Sequence, residues 1–388
     1  MFSDRTNWKL TRNRLTEALE EVRSSGAHVL DLTISNPTSA GLSYDQPQIL
    51  QSLASPHAMD YDPQSKGLPI ARAAVADYYQ TQHGIHNLAE RLILTTSTSE
   101  GYSFVFRLLC NPGDELLVPK PSYPLFEFLA DLQDVRLVPY PLIYDHGWQM
   151  DFPSLQKVVT NRTRGVVVVH PNNPTGSYLH PGEQRSLNRF CHEHDLAVIA
   201  DEVFIDYAHD RAARQSLAAN QDVLTFTLSG VSKISALPQM KVAWIATSGP
   251  AADVEAAQAR LEIISDTYLS MNAPIQWATP ALLDQRKSIQ QQLLDRLLGN
   301  LAELDRQLAK QTLCQRLNVE GGWYAVVRVP VIQTDEELAV DLLQKKSVLM
   351  HPGHFYDFPS DGYLVLSLIA QQEDFTEGIK RLLEVVGV

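Results

Sequence analysis

The spacing of apolar positions changes along the chain, and the change outlines an architecture. Val166-Val-Val-Val169 and Leu196-Ala-Val-Ile-Ala200 are apolar at every position, as strands buried on both faces of a parallel sheet should be. Glu115–Val118, Val135–Pro139, Leu224–Leu228 and Val242–Ala246 read as further short strands. Between them run amphipathic stretches of helical period: Leu68–Gln80, with Pro69 in its first turn, Glu100–Leu109, Leu125–Leu132 and Pro181–His194. Asn111-Pro112-Gly113 stops the second of these. This alternation predicts an α/β fold with a mostly parallel, mixed central sheet and helices on both faces. After about residue 251 the rhythm changes. Ala252–Ile264 and Ile275–Lys310 read as long helices, then Trp323–Val329 as strand, Asp335–Lys345 as helix, Tyr363–Leu368 as strand, and a last helix runs to Val386. That predicts a smaller α+β domain, with the boundary inside the long helix near residue 290.

A chain of 388 residues is long enough for two such units and for a core that encloses a small molecule. The formal charge of -13 disfavours nucleic acid and anionic membranes as partners. Cys110, Cys191 and Cys314 are far apart, which suits a reducing compartment and excludes a Cys-x-x-Cys site. Met1–Arg5 has no apolar signal core, and no apolar run approaches the ~20 residues that span a bilayer. The expectation is a cytoplasmic, enzyme-sized protein.

Several common site signatures are missing: no Gly-x-Gly-x-x-Gly, no Gly-Lys-Ser/Thr loop and no Gly-x-Ser-x-Gly elbow. Cys191-His192-Glu193-His194 resembles a ligand cluster, but on a helix its members diverge, and His351 and His354 lack a second ligand pair; no metal is expected. Four features remain where α/β sheets place ligands, at the carboxyl ends of strands. Asp201 ends one apolar strand, Lys233 follows another in Ser229-Gly-Val-Ser-Lys233, and Asn172-Asn-Pro-Thr-Gly176 follows a third. Thr95–Glu100, rich in hydroxyls, precedes a helix and can hold a phosphate. Singly, each has an ordinary reading: Asp201 or Ser99 as a helix cap, Asn-Pro-Thr-Gly as a turn, Lys233 as a solvated surface charge. Together they describe pyridoxal 5'-phosphate chemistry. A lysine condenses with an aldehyde, a carboxylate keeps a pyridine nitrogen protonated, and a helix start takes the phosphate.

The ordered set Asp31-Leu-Thr-Ile-Ser-Asn-Pro37, Tyr61…Gly67-Leu-Pro, Asn111-Pro-Gly-Asp-Glu115, Pro119-Lys-Pro-Ser-Tyr123-Pro, Asn173-Pro-Thr-Gly176, Asp201-Glu-Val203, Ser232-Lys233 and Gly362-Tyr-Leu-Val-Leu-Ser367 resembles the class I/II aminotransferases, which are fold-type I enzymes dependent on pyridoxal phosphate. The resemblance covers nearly the whole chain. It implies that Lys233 forms the Schiff base and shuttles the Cα proton. It also implies that Asp201 pairs with the ring nitrogen, Asn173 bonds the ring oxygen O3', and Tyr123 stacks on the ring. Ser97, Thr98, Ser99, Ser232 and Lys241 would lie about the phosphate, with Tyr61 reaching it from the neighbouring subunit of a homodimer. Residues 39–290 would form the large domain, and 1–38 with 291–388 a small domain that closes on substrate. Ser35 and Tyr324 would face the substrate.

Four departures qualify the resemblance. Where the family has Tyr three residues after the aspartate, this chain has Phe204, with no hydroxyl for O3'; Tyr207 is the nearest alternative in sequence. Lys241 replaces an arginine on the phosphate, keeping charge but losing the bidentate fork. Gly230 replaces a serine three residues before the lysine. Val365 replaces the arginine that binds the substrate carboxylate, and strand alternation from Tyr324 makes Arg328 the candidate replacement, with His354 a second. Asp266 falls near the place of a side-chain-binding arginine in aspartate-specific members, which disfavours dicarboxylate donors. The expected activity is ping-pong transfer of an amino group from an amino acid to a 2-oxo acid. The alternatives are a β-eliminating lyase or racemase on the same fold, and a non-catalytic ligand-binding module. Against the last stand Lys233 and Asp201, and a match that begins near residue 30, which is not expected to leave room for a DNA-binding segment before it.

Overall fold

The computed structural model describes residues 1–388 apart from Lys9, residues 211–214, Ser270 and Val388. Strand β1 (Leu30–Asp31) is short. The next eight strands are β2 (Leu92–Thr95), β3 (Glu115–Lys120), β4 (Arg136–Tyr144), β5 (Trp148–Met150), β6 (Thr163–Val169), β7 (Ala197–Asp201), β8 (Thr225–Gly230) and β9 (Ala243–Ser248). They form one sheet in the order β2-β9-β8-β7-β6-β3-β4-β5. Its middle is parallel. β9 runs against β8 and β2, and β5 runs against β4 at the opposite edge. Strands β10 (Gln315–Arg316) and β11 (Tyr324–Arg328) begin a second sheet. β12 (Val348–Leu349) pairs in parallel with β1, and β13 (His351–Pro352) and β14 (Tyr363–Ser367) complete the antiparallel order β10-β11-β14-β13.

The helices of the first half are α1 (Arg14–Ser24), α2 (Gln46–Ser52), α3 (Pro69–His83), α4 (Thr98–Leu109), α5 (Leu125–Asp131) and α6 (Phe152–Val158). Then come α7 (Pro181–His194), the single turn α8 (Val231–Ile234), α9 (Ala251–Tyr268), α10 (Ala273–Asp284), α11 (Arg286–Leu308), α12 (Asp335–Lys346) and α13 (Gln372–Val385). Alternate residues of the buried strands explain why both faces are covered. Val167, Val169 and Ile199 pack with Phe106 of α4, Phe126 of α5 and Leu261 of α9. Val166, Val168 and Val198 point the other way, onto Leu155 of α6 and Leu187 and Phe190 of α7. A third core joins Leu293 and Leu297 of α11, the second sheet and α13, and it reaches Phe204, Tyr207 and Ala236 beside Lys233.

Two departures from the sequence reading have a clear physical reason. Ile275–Lys310 is not one helix: α10 ends at Asp284 and α11 begins at Arg286. The apolar rhythm continues across the joint, so periodicity does not reveal it, while the Arg286 guanidinium donates to the Leu283 carbonyl and caps the end of α10 (2.8 Å). Strand β2 was not expected at all. Its four buried residues, Leu92–Thr95, are too few to show a period.

Candidate active site

Four adjacent strands deliver the central residues from their carboxyl ends. β3 leads to Tyr123, β6 to Asn173, β7 ends in Asp201, and β8 leads into α8 with Lys233. The register sets Asp201 opposite Leu228, so carboxylate and lysine come from neighbouring strands. The Lys233 amine lies 4.9 Å over the Trp323 ring and 5.7 Å from the centre of Phe204, and donates to the Ser35 carbonyl at 3.5 Å. Burial among these rings pushes its pKa down to about 8, against the pull of Asp201. Burial also pushes Asp201 up to about 6, opposed by the Val203 amide on Oδ1 (3.1 Å), the Tyr102 hydroxyl on Oδ2 (3.0 Å) and the Lys233 charge. Each oxygen thus accepts one hydrogen bond, and a cationic partner would be welcome there.

The hydroxyl-rich loop before α4 folds around its own caps. Ser97, not Ser99, is the N-cap of α4: its hydroxyl accepts from the Glu100 amide (3.2 Å), while the Glu100 carboxylate reaches back to the Thr96 amide (2.7 Å). Thr98 and Ser99 occupy the first turn, whose amides have no helical partner of their own. Thr95 pairs with Ala243, and the exposed Lys241 lies two residues before Ala243. Gly230 has a steric reason: a Cβ there would lie 2.7 Å from the Val242 carbonyl oxygen, so a serine does not fit this pairing of β8 and β9. Ser232 is half-buried beside Lys233.

Phe204 is buried, edge-on to Trp323 (5.2 Å) and Tyr324 (6.3 Å). Tyr207 does not supply the missing hydroxyl, because its own donates to the Lys233 carbonyl at 2.6 Å. Asn173 is buried, and its Oδ1 has no partner among the described residues. Tyr123 is exposed at the rim, beside Ser122, whose amide donates to the Tyr356 carbonyl (2.9 Å). Tyr61 is 81% exposed and lines a cavity of about 450 Å³ with Leu94, Asp266 and Asn272.

Two expected residues are not brought to this cluster. Arg328 shares a face with Tyr324, but four residues along a strand are ~13 Å, and its guanidinium rests 5.7 Å over Tyr363 at an exposed strand end. His354 is exposed and packs edge-on against Phe355 (4.7 Å). Val365, paired with Val326 and His351, is fully buried. Two residues with contacts at the cluster were missed: Tyr102, which holds Asp201, and Trp323, which underlies Lys233. Tyr102 sits one turn into α4, after the hydroxyl-rich loop, a position that invites inspection of neighbouring strand ends. Trp323 carries no such signal.

A strand-end carboxylate and lysine on an eight-stranded mixed sheet define a class of fold that solved structures share. The alanine aminotransferase of Pyrococcus furiosus superposes with a TM-score of 0.90 at 21% identity, covering 100% of this chain and 99% of that one. The fold is that of the fold-type I aminotransferases. Residues 27–382 match the family described as aminotransferase class I and II, so the chain belongs to that family and is a transaminase. It is 28% identical to an alanine aminotransferase of Mycobacterium tuberculosis over 93% of this chain and 86% of the relative. It is 27% identical to the glutamate-pyruvate aminotransferase AlaA of Haemophilus influenzae, over 94% and 92%. These names do not favour the lyase or racemase reading.

Proposed function

We propose that the enzyme holds pyridoxal 5'-phosphate between Asp201 and Lys233 and moves the amino group of a neutral amino acid to a 2-oxo acid. The observation that carries this is the pairing of a lysine amine brought down to about 8 with a buried carboxylate on the adjacent strand. The residues fit the group. Asp201 has a coordination place left on each oxygen, Asn173 is buried just past the end of β6 with an Nδ2 that can donate, and the start of α4 offers amides without helical partners. When bound, the cofactor supplies an aldehyde that condenses with amines and a ring that accepts electron density. Asp201 holds the proton on the ring nitrogen. Asn173 donates to O3', Tyr123 covers the ring, and Ser97, Thr98, Ser99, Ser232 and Lys241 surround the phosphate. Lys233 would take the proton from the substrate Cα and deliver it, across the substrate nitrogen, to the carbon of the cofactor's aldehyde group. A pKa of about 8 suits both halves of that transfer near neutral pH. The Phe204 and Trp323 rings flank the amine and limit its hydration.

The neutral rings around Lys233, and Asp266 beside Tyr61 at the outer cavity, support a neutral donor over a dicarboxylate. The name of the alanine aminotransferase relative supports a small neutral amino acid as one substrate, and that of the glutamate-pyruvate relative supports glutamate as the amino acid of the other half-reaction. Ser35 and Tyr324 border the substrate. We place residues 39–290 in the cofactor domain and 1–38 with 291–388 in the closing domain. The same reading makes the enzyme a homodimer, with the exposed Tyr61 completing the partner's phosphate site, and puts it in the cytoplasm, where its three free cysteines stay reduced. Among the described residues no helix is long and apolar enough to cross a membrane. The test is a half-reaction screen. Holoenzyme is mixed with single amino acids, and both the cofactor absorbance and the products are followed. The proposal expects one 2-oxo acid per subunit and loss of the visible band with neutral donors. Release of ammonia with the band retained would contradict it.

A further inference from the structure

α8 is a single turn, so the carbonyls that follow Lys233 have almost no helix to bond to. The turn makes a few backbone bonds of its own, among them Ala236 N–H to the Lys233 carbonyl (3.1 Å), and three separate parts of the chain hold its carbonyls from outside. The Tyr207 hydroxyl, six residues beyond Asp201, donates to the Lys233 carbonyl at 2.6 Å. The Gln290 amide, on α11, donates to the Ile234 carbonyl at 2.8 Å and to Asp206 Oδ2 at 2.7 Å. The Tyr44 hydroxyl, from the N-terminal segment, donates to the Ala236 carbonyl at 3.0 Å. Asp206 is buried, and its other oxygen accepts from the Tyr78 hydroxyl at 3.1 Å. Ala236 has φ of +50°, in the left-handed region that a residue with a Cβ avoids, so the turn does not take this shape through local preference. Asp206 and Tyr207 are consecutive, and they belong to the same strand-to-loop segment as Asp201. The segment that carries the carboxylate is therefore tied to the turn that carries the amine, through side chains that touch neither reacting atom.

We infer that Tyr207, Gln290 and Tyr44 are positioning residues, a three-point clamp on the lysine turn that fixes Lys233 Nζ relative to Asp201 for proton transfer. The inference rests on the assignment of Lys233 as the base. Because the clamp acts on where the amine stands, its loss lowers the rate of proton transfer more than the binding of substrate, and a displacement of ~1 Å costs up to ~100-fold.

The test compares holoenzyme carrying Tyr207→Phe with Tyr140→Phe. Both substitutions remove a buried tyrosine hydroxyl that donates to a backbone carbonyl, but the bond of Tyr140 goes to Val167 in the central sheet (2.8 Å). Matched thermal midpoints are expected. Tyr207→Phe alone should slow the single-turnover half-reaction by about tenfold or more, leave the half-saturating donor concentration within about twofold, and displace the pH midpoint of the visible band. It should also slow recombination of the apoenzyme with pyridoxal phosphate, a step read without turnover. Gln290→Met, which keeps the volume and removes both donors, should reproduce the pattern if Tyr207→Phe does not fold. Equal behaviour of Tyr207→Phe and Tyr140→Phe in rate, pH midpoint and recombination, with Lys233→Ala inactive, overturns the clamp alone. A turning-over Lys233→Ala overturns the base assignment instead.

Discussion

Tyr102→Phe is the most informative perturbation of the electron-accepting end of the site. The ring stays packed edge-on to Phe106 and Phe126, and only the hydroxyl donating to Asp201 Oδ2 at 3.0 Å is lost. A hydrogen bond to a charged group contributes about 1.5–3 kcal/mol, and a pKa unit corresponds to about 1.4 kcal/mol. Asp201, at about 6 with the bond in place, therefore rises by roughly one to two units without it. At pH 7 the ionised fraction falls from about nine-tenths to between about one-half and one-tenth. A protonated Asp201 cannot hold the ring-nitrogen proton, so the acid limb of the half-reaction should move up by about one to two pH units in the variant, with the two rates converging on its alkaline side. Charge on the bound ring lowers the midpoint in both proteins alike, so the displacement between their profiles is the quantity to read. Single-turnover absorbance traces with one neutral donor from pH 5.5 to 9.5 would measure it. Coincident acid limbs, or a variant slower by one factor at every pH, would refute the reasoning.

The other departures from the family make shorter tests. Phe204→Tyr adds a hydroxyl beside the ring oxygen and should lower the pH midpoint of the visible cofactor band; an equal or higher midpoint than wild type counts against that placement. Gly230→Ala forces a Cβ to 2.7 Å from the Val242 carbonyl oxygen and should destabilise by about 1–3 kcal/mol, a fall of several degrees in Tm; an unchanged Tm would mean that β9 yields freely. Arg328→Ala should leave the donor's KM within about twofold, because the guanidinium stacks on Tyr363 at an exposed strand end; a tenfold rise would return it to the substrate site.

The parts of this account that sequence carried are those with a strong local signature. Val166–Val169 and Leu196–Ala200 are buried on both faces, and the residues at their ends had to lie together once the strands were neighbours. The positions of Asp201, Asn173 and Lys233 at the ends of neighbouring strands were therefore legible. Residues whose placement depends on contacts distant in sequence were not. Trp323 reaches Lys233 from ninety positions away, and Tyr102 reaches Asp201 from ninety-nine. Arg328 shows the limit of periodicity. Alternation placed it on the correct face, but a face is longer than a pocket, and the strand carries it past the site. The reason for Gly230 was also hidden, since the carbonyl that excludes a side chain belongs to another strand.

The central claim is that Lys233 is the amine that holds the cofactor and moves the proton. Reduction of the holoenzyme with borohydride, proteolysis and mass spectrometry of the labelled peptide test it directly. The account predicts a single phosphopyridoxyl adduct on Lys233, and no adduct or half-reaction in Lys233→Ala. A label on another lysine, or a Lys233→Ala protein that still yields one 2-oxo acid per subunit, would contradict it.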